Sequence, residues 1–168
     1  SGGMFRDMTI HDFDMARWLL GEEPVEVFAM GECLVDRKIG AAGDIDSAMM
    51  LLRTASDKMC HINNSRRAAY GYDQRIEVAG AQGMLRAENI GETTVEHFSA
   101  RGTASDRPLA FFLERYAEAY RAEMSAFVLA LNKKTPMPVG ARDGRQALVL
   151  AEAALKSHQS GQAVKVDG

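Results

Sequence analysis

The period of apolar positions changes along the chain, and each change marks an element. From about Arg6 to Leu20 the pattern is helical, and Gly21 is the stop residue. At ~100° per residue, Asp7, His11, Asp14 and Trp18 fall on one stripe of that helix. Met8, Met15, Ala16 and Leu19 fall on the neighbouring stripe, the expected core face. Val25 to Val35 then alternates as a strand, with Val25, Val27 and Ala29 opposite Glu26, Phe28 and Met30. Asp36 to Asp44, with Gly40 and Gly43, reads as loop.

Ile45 to Thr54 fits a buried strand or a short helix. Strand is preferred, because Ala55-Ser56-Asp57-Lys58 then turns it into Met59 to Arg66 as a hairpin. Asp73 to Ala79 and Gly83 to Glu88 pair across Gly80-Ala81-Gln82, and Thr93 to Ser99 follows as another strand. Arg101 to Pro108 is loop, Leu109 to Asn132 a long helix broken by Pro136 and Pro138. A second helix starts over Gly140 to Leu155 and ends near Ser160-Gly161, before a short strand at Val164 to Val166.

This order predicts an α+β domain: an open, largely antiparallel sheet with helices packed on one face and the other face free for oligomerisation. Met30, Met49, Leu51 and Met59 are candidates for the free side. They serve either as an interface or as filling for a single core, a common use of methionine.

A length of 168 residues allows one domain with a real core. The net charge of -3 argues against a dedicated nucleic-acid binder. No apolar run approaches the ~20 residues that span a bilayer, so no membrane segment is expected. Cys33 and Cys60 lie in apparent strands at no metal-ligand spacing and read as buried thiols of a reducing compartment, the cytoplasm. The chain opens on Ser-Gly-Gly without an initiator methionine, which reads as part of a longer protein.

The chemistry concentrates on the first helix. A carboxylate one turn from an imidazole orients it and favours its protonated form, which suits a general base near neutral pH. An ordinary surface pair at i, i+4 is the competing reading. A metal site is a third, but His61, His97 and His158 are scattered singly and no metal is expected. Asn63 to Arg75 is unusually polar and offers amides, guanidinia and two phenols either to a polyhydroxylated or anionic ligand or simply to solvent. No GxGxxG or GxxxxGK[ST] loop occurs, and no nucleophile elbow.

The segment Gly2 to Asp14 closely resembles the glucose–fructose oxidoreductase/inositol dehydrogenase family. The likeness continues through Ala41 to Asp46, Asn63 to Arg67, Tyr70 to Arg75 and Phe112 to Tyr116, and so covers essentially the whole chain. The resemblance implies that residues 1–168 are a C-terminal substrate-binding and oligomerisation domain, with the Rossmann domain for NAD or NADP outside this chain. It makes Asp7 and His11, which match the family's Asp-x-x-x-His, the catalytic pair. Asp14 and Tyr70 match polyol-contacting positions, and Tyr116 a position approaching the nicotinamide. The implied reaction moves a hydride from a polyol hydroxyl, that of myo-inositol giving the 2-keto product, to NAD(P). The implied assembly is a homo-oligomer, dimer or tetramer, through the open sheet face. The family's Glu-Lys-Pro lysine has no counterpart here, so the isolated chain is expected to be inactive. The alternative is a non-catalytic oligomerisation or sugar-binding module.

Overall fold

The computed structural model describes residues 2–166. They form two compact units, one running to Arg67 and resuming at Val139, the other spanning Ala68–Pro138. The first unit opens on a π-helical segment, Phe5–Thr9, that runs straight into α1, Ile10–Leu20. Gly21 closes α1 in the left-handed conformation (φ 62°), and its N–H donates to the Arg17 carbonyl at 3.0 Å. β1 (Pro24–Glu32), β2 (Ser47–Thr54) and β3 (Met59–Ser65) follow, with α2 (Arg37–Ala41) between the first two. After the excursion into the second unit, α5 (Ala141–Ser160) and β8 (Val164–Lys165) complete the first.

The sheet is antiparallel in the order β3-β2-β1-β8, so the last strand pairs beside the first. α5 packs on β1, and α1 with its π-helical lead packs on α5, which puts the helices on one face. Strand alternation decides which side chains they cover. Along β2, Ala48, Met50, Leu52 and Thr54 are buried, while Met49, Leu51 and Arg53 are exposed. Phe5, Phe13, Val27, Met50, Ile62, Leu150 and Ala151 lie at the centre of the core. Ser157 of α5 stitches helix to sheet, accepting the Ala29 N–H at 2.9 Å while its hydroxyl donates to the Gln162 carbonyl. Met30, Met49, Leu51 and Met59 all stand on the opposite, uncovered face.

The second unit holds two hairpins, β4 (Ile76–Gly80) with β5 (Gly83–Ala87) and β6 (Glu96–Ser99) with β7 (Gly102–Ser105). The helices α3 (Phe112–Arg115) and α4 (Ala117–Lys133) complete it. The architecture is the expected α+β one with open antiparallel sheets, and several details differ from the sequence reading. The middle strands pair with each other in two separate ribbons instead of extending one sheet. β7 lies within the segment read as loop, because Gly102 (φ 118°) permits a tight return from β6. The helix read from Leu109 breaks at Tyr116. α2 occupies part of the predicted 36–44 loop, nucleated by the Asp36 carboxylate accepting the Lys38 N–H at 3.0 Å. Cys33 sits just past β1 instead of within it, and both cysteines are free and only half-buried.

The buried stripe of the first helix matches the expected one only in part: Ala16 is buried and Met8 packs against the core as expected, but Met15 does not. Phe5, Thr9, Phe13, Ala16 and Arg17 are buried, whereas Met15 is exposed. The wider π turn shifts the phase of everything before Ile10, which a uniform 100° projection cannot register.

Candidate active site

The π-helical entry and α1 carry Asp7, His11 and Asp14 on the side turned from the core, with His11 exposed and Asp7 and Asp14 partly so. The Asp7 carboxylate faces Arg66, just beyond β3, with Oδ2 3.5 Å from Nη1. Among the described residues no hydrogen bond or ion pair joins Asp7 to His11. The other arm of the Arg66 guanidinium donates to Asp44 at 3.2 Å, and Asp44 also accepts the Met4 N–H at 3.0 Å. A chain of charge thus runs from the start of the helical segment through Asp44 and Arg66 to Asp7.

Next to His11, Asp12 points the other way. Burial pushes its carboxyl above the usual range, against the opposing pull of the Asn64 amide, which donates to it at 2.9 Å, and of His11. Asn64 in turn accepts from the Thr9 hydroxyl at 2.7 Å. Alternation along β3 turns Cys60, Ile62 and Asn64 toward the core side, so a polar residue in that row requires an internal partner. Burial, with the Asp12 charge, also raises the Cys60 thiol, which keeps it an unreactive neutral group.

Asp14 is engaged from the next turn. Its Oδ1 accepts from Arg17 Nη1 at 2.8 Å. Arg17 is buried, donates twice to Glu23 at 2.7 Å, and reaches the Asp143 carbonyl and carboxylate of α5 at 3.1 and 3.3 Å. The cluster ties α1 to α5 and leaves Asp14 partly solvated.

Tyr70 and Tyr116 belong to the second unit. The Tyr70 hydroxyl donates to Asp73, which raises the phenol. Asp73 itself is lowered to about 2, first by Arg75, against burial, and then by Tyr70 and Asn89. The Tyr116 hydroxyl donates to Gln74, its ring meets Tyr72 edge-on at 5.7 Å, and the Arg115 guanidinium lies 5.4 Å from the ring centroid.

Arg17, Asp44, Thr9 and Asp12 had no assigned role in the sequence reading, and Asn64 and Arg66 figured only in the polar Asn63–Arg75 stretch offered to a ligand or to solvent. For Asn64 the signal was available in the alternation of β3. For Arg66 and Asp44, 22 residues apart, the sequence carries no sign that they meet. No group of three or more His, Cys, Asp and Glu side chains among the described residues is placed to hold a metal ion.

The N-terminus of α2, the turn that follows β1, offers no seat for the pyrophosphate of a dinucleotide. β1 leads through Cys33–Asp36 into the five-residue α2, and the Asp36 carboxylate already occupies that first turn and would repel an anion. A concavity of about 470 Å³ lies on the uncovered sheet face. Phe28, Leu51, Arg53, Met59 and His61 line it, and none of Asp7, His11 or Asp14 does.

Comparison with known proteins agrees with the fold. Residues 1–166 match the model of the oxidoreductase family, C-terminal alpha/beta domain. The chain is 50% identical over 167 residues to the myo-inositol 2-dehydrogenase of Thermotoga maritima, covering 99% of this chain and 50% of that protein. It is 52% identical over 157 residues to the inositol 2-dehydrogenase of Rhizobium meliloti, covering 94% of this chain and 48% of that one. The crystal structure of scyllo-inositol dehydrogenase from Lactobacillus casei with bound NAD(H) and scyllo-inositol superimposes with a TM-score of 0.88 at 32% identity, over 99% of this chain and 49% of that one. The chain spans about half the length of the curated relatives it matches. On this match, which runs from the Asp7–His11 segment through β8, the chain belongs to the glucose–fructose oxidoreductase/inositol dehydrogenase family of oxidoreductases, in its C-terminal alpha/beta domain.

Proposed function

We propose that this chain is the substrate side of an NAD(P)-dependent polyol dehydrogenase that oxidises one hydroxyl of an inositol, myo-inositol giving the 2-keto product. The observation that carries the reading is His11, exposed on the outer stripe of α1 one turn from Asp7, in a chain half identical to a myo-inositol 2-dehydrogenase. His11 accepts the hydroxyl proton as general base, and Asp7 stabilises the imidazolium that results. Asp14 and Tyr70 contact the other hydroxyls, and Tyr116 borders the nicotinamide. These three assignments rest on the motif match.

The dinucleotide, when bound, supplies the hydride acceptor. No glycine-rich phosphate loop occurs in this sequence and the start of α2 carries the Asp36 carboxylate, which supports a reading in which the dinucleotide is held mainly by a nucleotide-binding domain outside this chain. Hydride transfer therefore requires that domain, and the chain alone is inactive. The uncovered sheet face, with Met30 57%, Met49 57% and Met59 81% exposed, presents an apolar patch that favours a homo-oligomer, dimer or tetramer, built on it. Two free thiols fit the cytoplasm.

The test is a full-length protein containing this chain, assayed for inositol-dependent reduction of NAD and NADP. His11→Ala is expected to lower kcat by roughly 10²–10⁴ with the fold retained. Undiminished turnover removes His11 from the chemistry. Inositol binding by calorimetry without any turnover of the unaltered protein points instead to a sugar-binding module.

A further inference from the structure

We propose that Arg66 is a positioning residue for Asp7, acting with Asp44 to hold the carboxylate in place one turn before His11. The inference rests on the reading of Asp7 and His11 as the reactive pair.

Arg66 is anchored at its main chain before its side chain does anything. Its N–H donates to the Asp46 carbonyl at 2.9 Å. The Asp46 carboxylate is itself fully buried and accepts the N–H groups of Leu34, Val35 and Asp36, each at 2.8 Å. Burial opposes its charge, but those three donors and the Ser47 hydroxyl outweigh burial and hold it well below the usual carboxylate range. The base of Arg66 is therefore a rigid, permanently charged turn.

The guanidinium then spans two carboxylates, Asp44 at 3.2 Å and Asp7 at 3.5 Å. Asp44 works in two directions, because its other oxygen takes the Met4 N–H at the entry to the π-helical segment that carries Asp7. The approach is close enough to require glycine before Met4. Gly3 has φ +88°, and a Cβ there would stand 3.1 Å from Asp44 Oδ1. One carboxylate thus fixes both the backbone that presents Asp7 and the cation that faces it. Asp7 is partly exposed, and without Arg66 its side chain is free to swing into solvent. A small misplacement of such a group lowers the rate while leaving substrate binding nearly unchanged.

The experiment is a double-mutant cycle in the full-length protein, with Arg66→Met, Asp7→Asn and their combination assayed for inositol oxidation and for thermal unfolding. Arg66→Met is expected to lower kcat about 10- to 100-fold with KM within about threefold. In the Asp7→Asn background the same change is expected to alter kcat by less than about twofold, because its target has gone. Asp44→Asn, which keeps an acceptor for Met4 but loses the charge holding Arg66, is expected to lower kcat in the same direction and serves if Arg66→Met does not fold. Equal losses of kcat in both backgrounds overturn the inference, even if unfolding shows the pair coupled, since Arg66 is then a structural tie only. Full kcat in Arg66→Met overturns it as well. Failure of the underlying reading looks different: Asp7→Asn and His11→Ala then each leave turnover intact.

Discussion

Replacing Arg17 by methionine is the most direct probe of how α1 is held. The guanidinium is 8% exposed and donates to five acceptor atoms on three residues, Glu23, Asp14 and Asp143. Methionine keeps much of the buried stem and removes all of those bonds. Breaking a fully buried ion pair costs about 3–5 kcal/mol, because the partner is left charged and dry. Here the three carboxylates are 43%, 42% and 39% exposed, so water recovers part of their solvation. The expected loss is therefore about 2–3 kcal/mol, between the buried figure and the ~0–1 kcal/mol of a surface pair. For a domain of this size that is a drop in Tm of roughly 4–12 °C.

The pH dependence checks the cause. Arg17, against burial, holds Glu23 below the usual carboxylate range. A lowered folded value means that the stabilisation is complete above about pH 5 and is lost as the pH falls through that lowered value. The gap between wild type and Arg17→Met should accordingly narrow in acid. Calorimetry of the full-length protein at neutral and acid pH measures both quantities. A Tm within about 1 °C of wild type, or a deficit that stays constant into acid, refutes the account.

Two further outcomes follow from packing. A Cβ at Gly31 would lie 2.4 Å from Ile45 Cδ1, which can move, and 2.9 Å from the Ser47 carbonyl of β2, which cannot, so Gly31→Ala should cost about 1–3 kcal/mol in denaturant titration, and a neutral result would mean β1 and β2 yield. Leu51→Glu places a charge at the middle of the uncovered sheet face, where Leu51 is 55% exposed, and should shift the proposed homo-oligomer toward monomers in sedimentation with little change in Tm; an association state equal to wild type refutes the proposal that this face is the interface.

Much of the fold follows from local pattern. The β4–β5 ribbon, α5 with its stop at Gly161, and β8 follow from period or turn chemistry, and β2 reads as strand instead of helix only through the Ala55–Lys58 turn that joins it to β3. What escaped depends on the third dimension. The apolar stripe of the first helix was misphased in part because the π turn leaves no mark in composition, and burying Phe5 and Phe13 excludes Met15. β4, β5 and β6 were legible as strands but not as separate from the main sheet, since alternation says which face a residue takes and not which strand lies beside it, and β7 was read as loop. Among the candidate site residues of the first helix, Asp7 and His11 are exposed and Asp14 is half-buried. That Asp7 faces Arg66 arises from contacts 59 residues apart, which no local rule anticipates.

The division of the first unit into two stretches of sequence has a consequence for synthesis. Ala68–Pro138 separates the sheet strands from α5, the helix that covers them. At about 5–20 residues per second, a ribosome needs roughly 4–14 s to make that interval. Throughout it the inner side chains of β1 and β2, Val27, Ala29, Met50 and Leu52, lack that cover. The nascent chain therefore carries its principal sheet without α5 over this interval, and the arrival of Leu150, Ala151 and Ala154 completes the core that Phe5 and Phe13 begin.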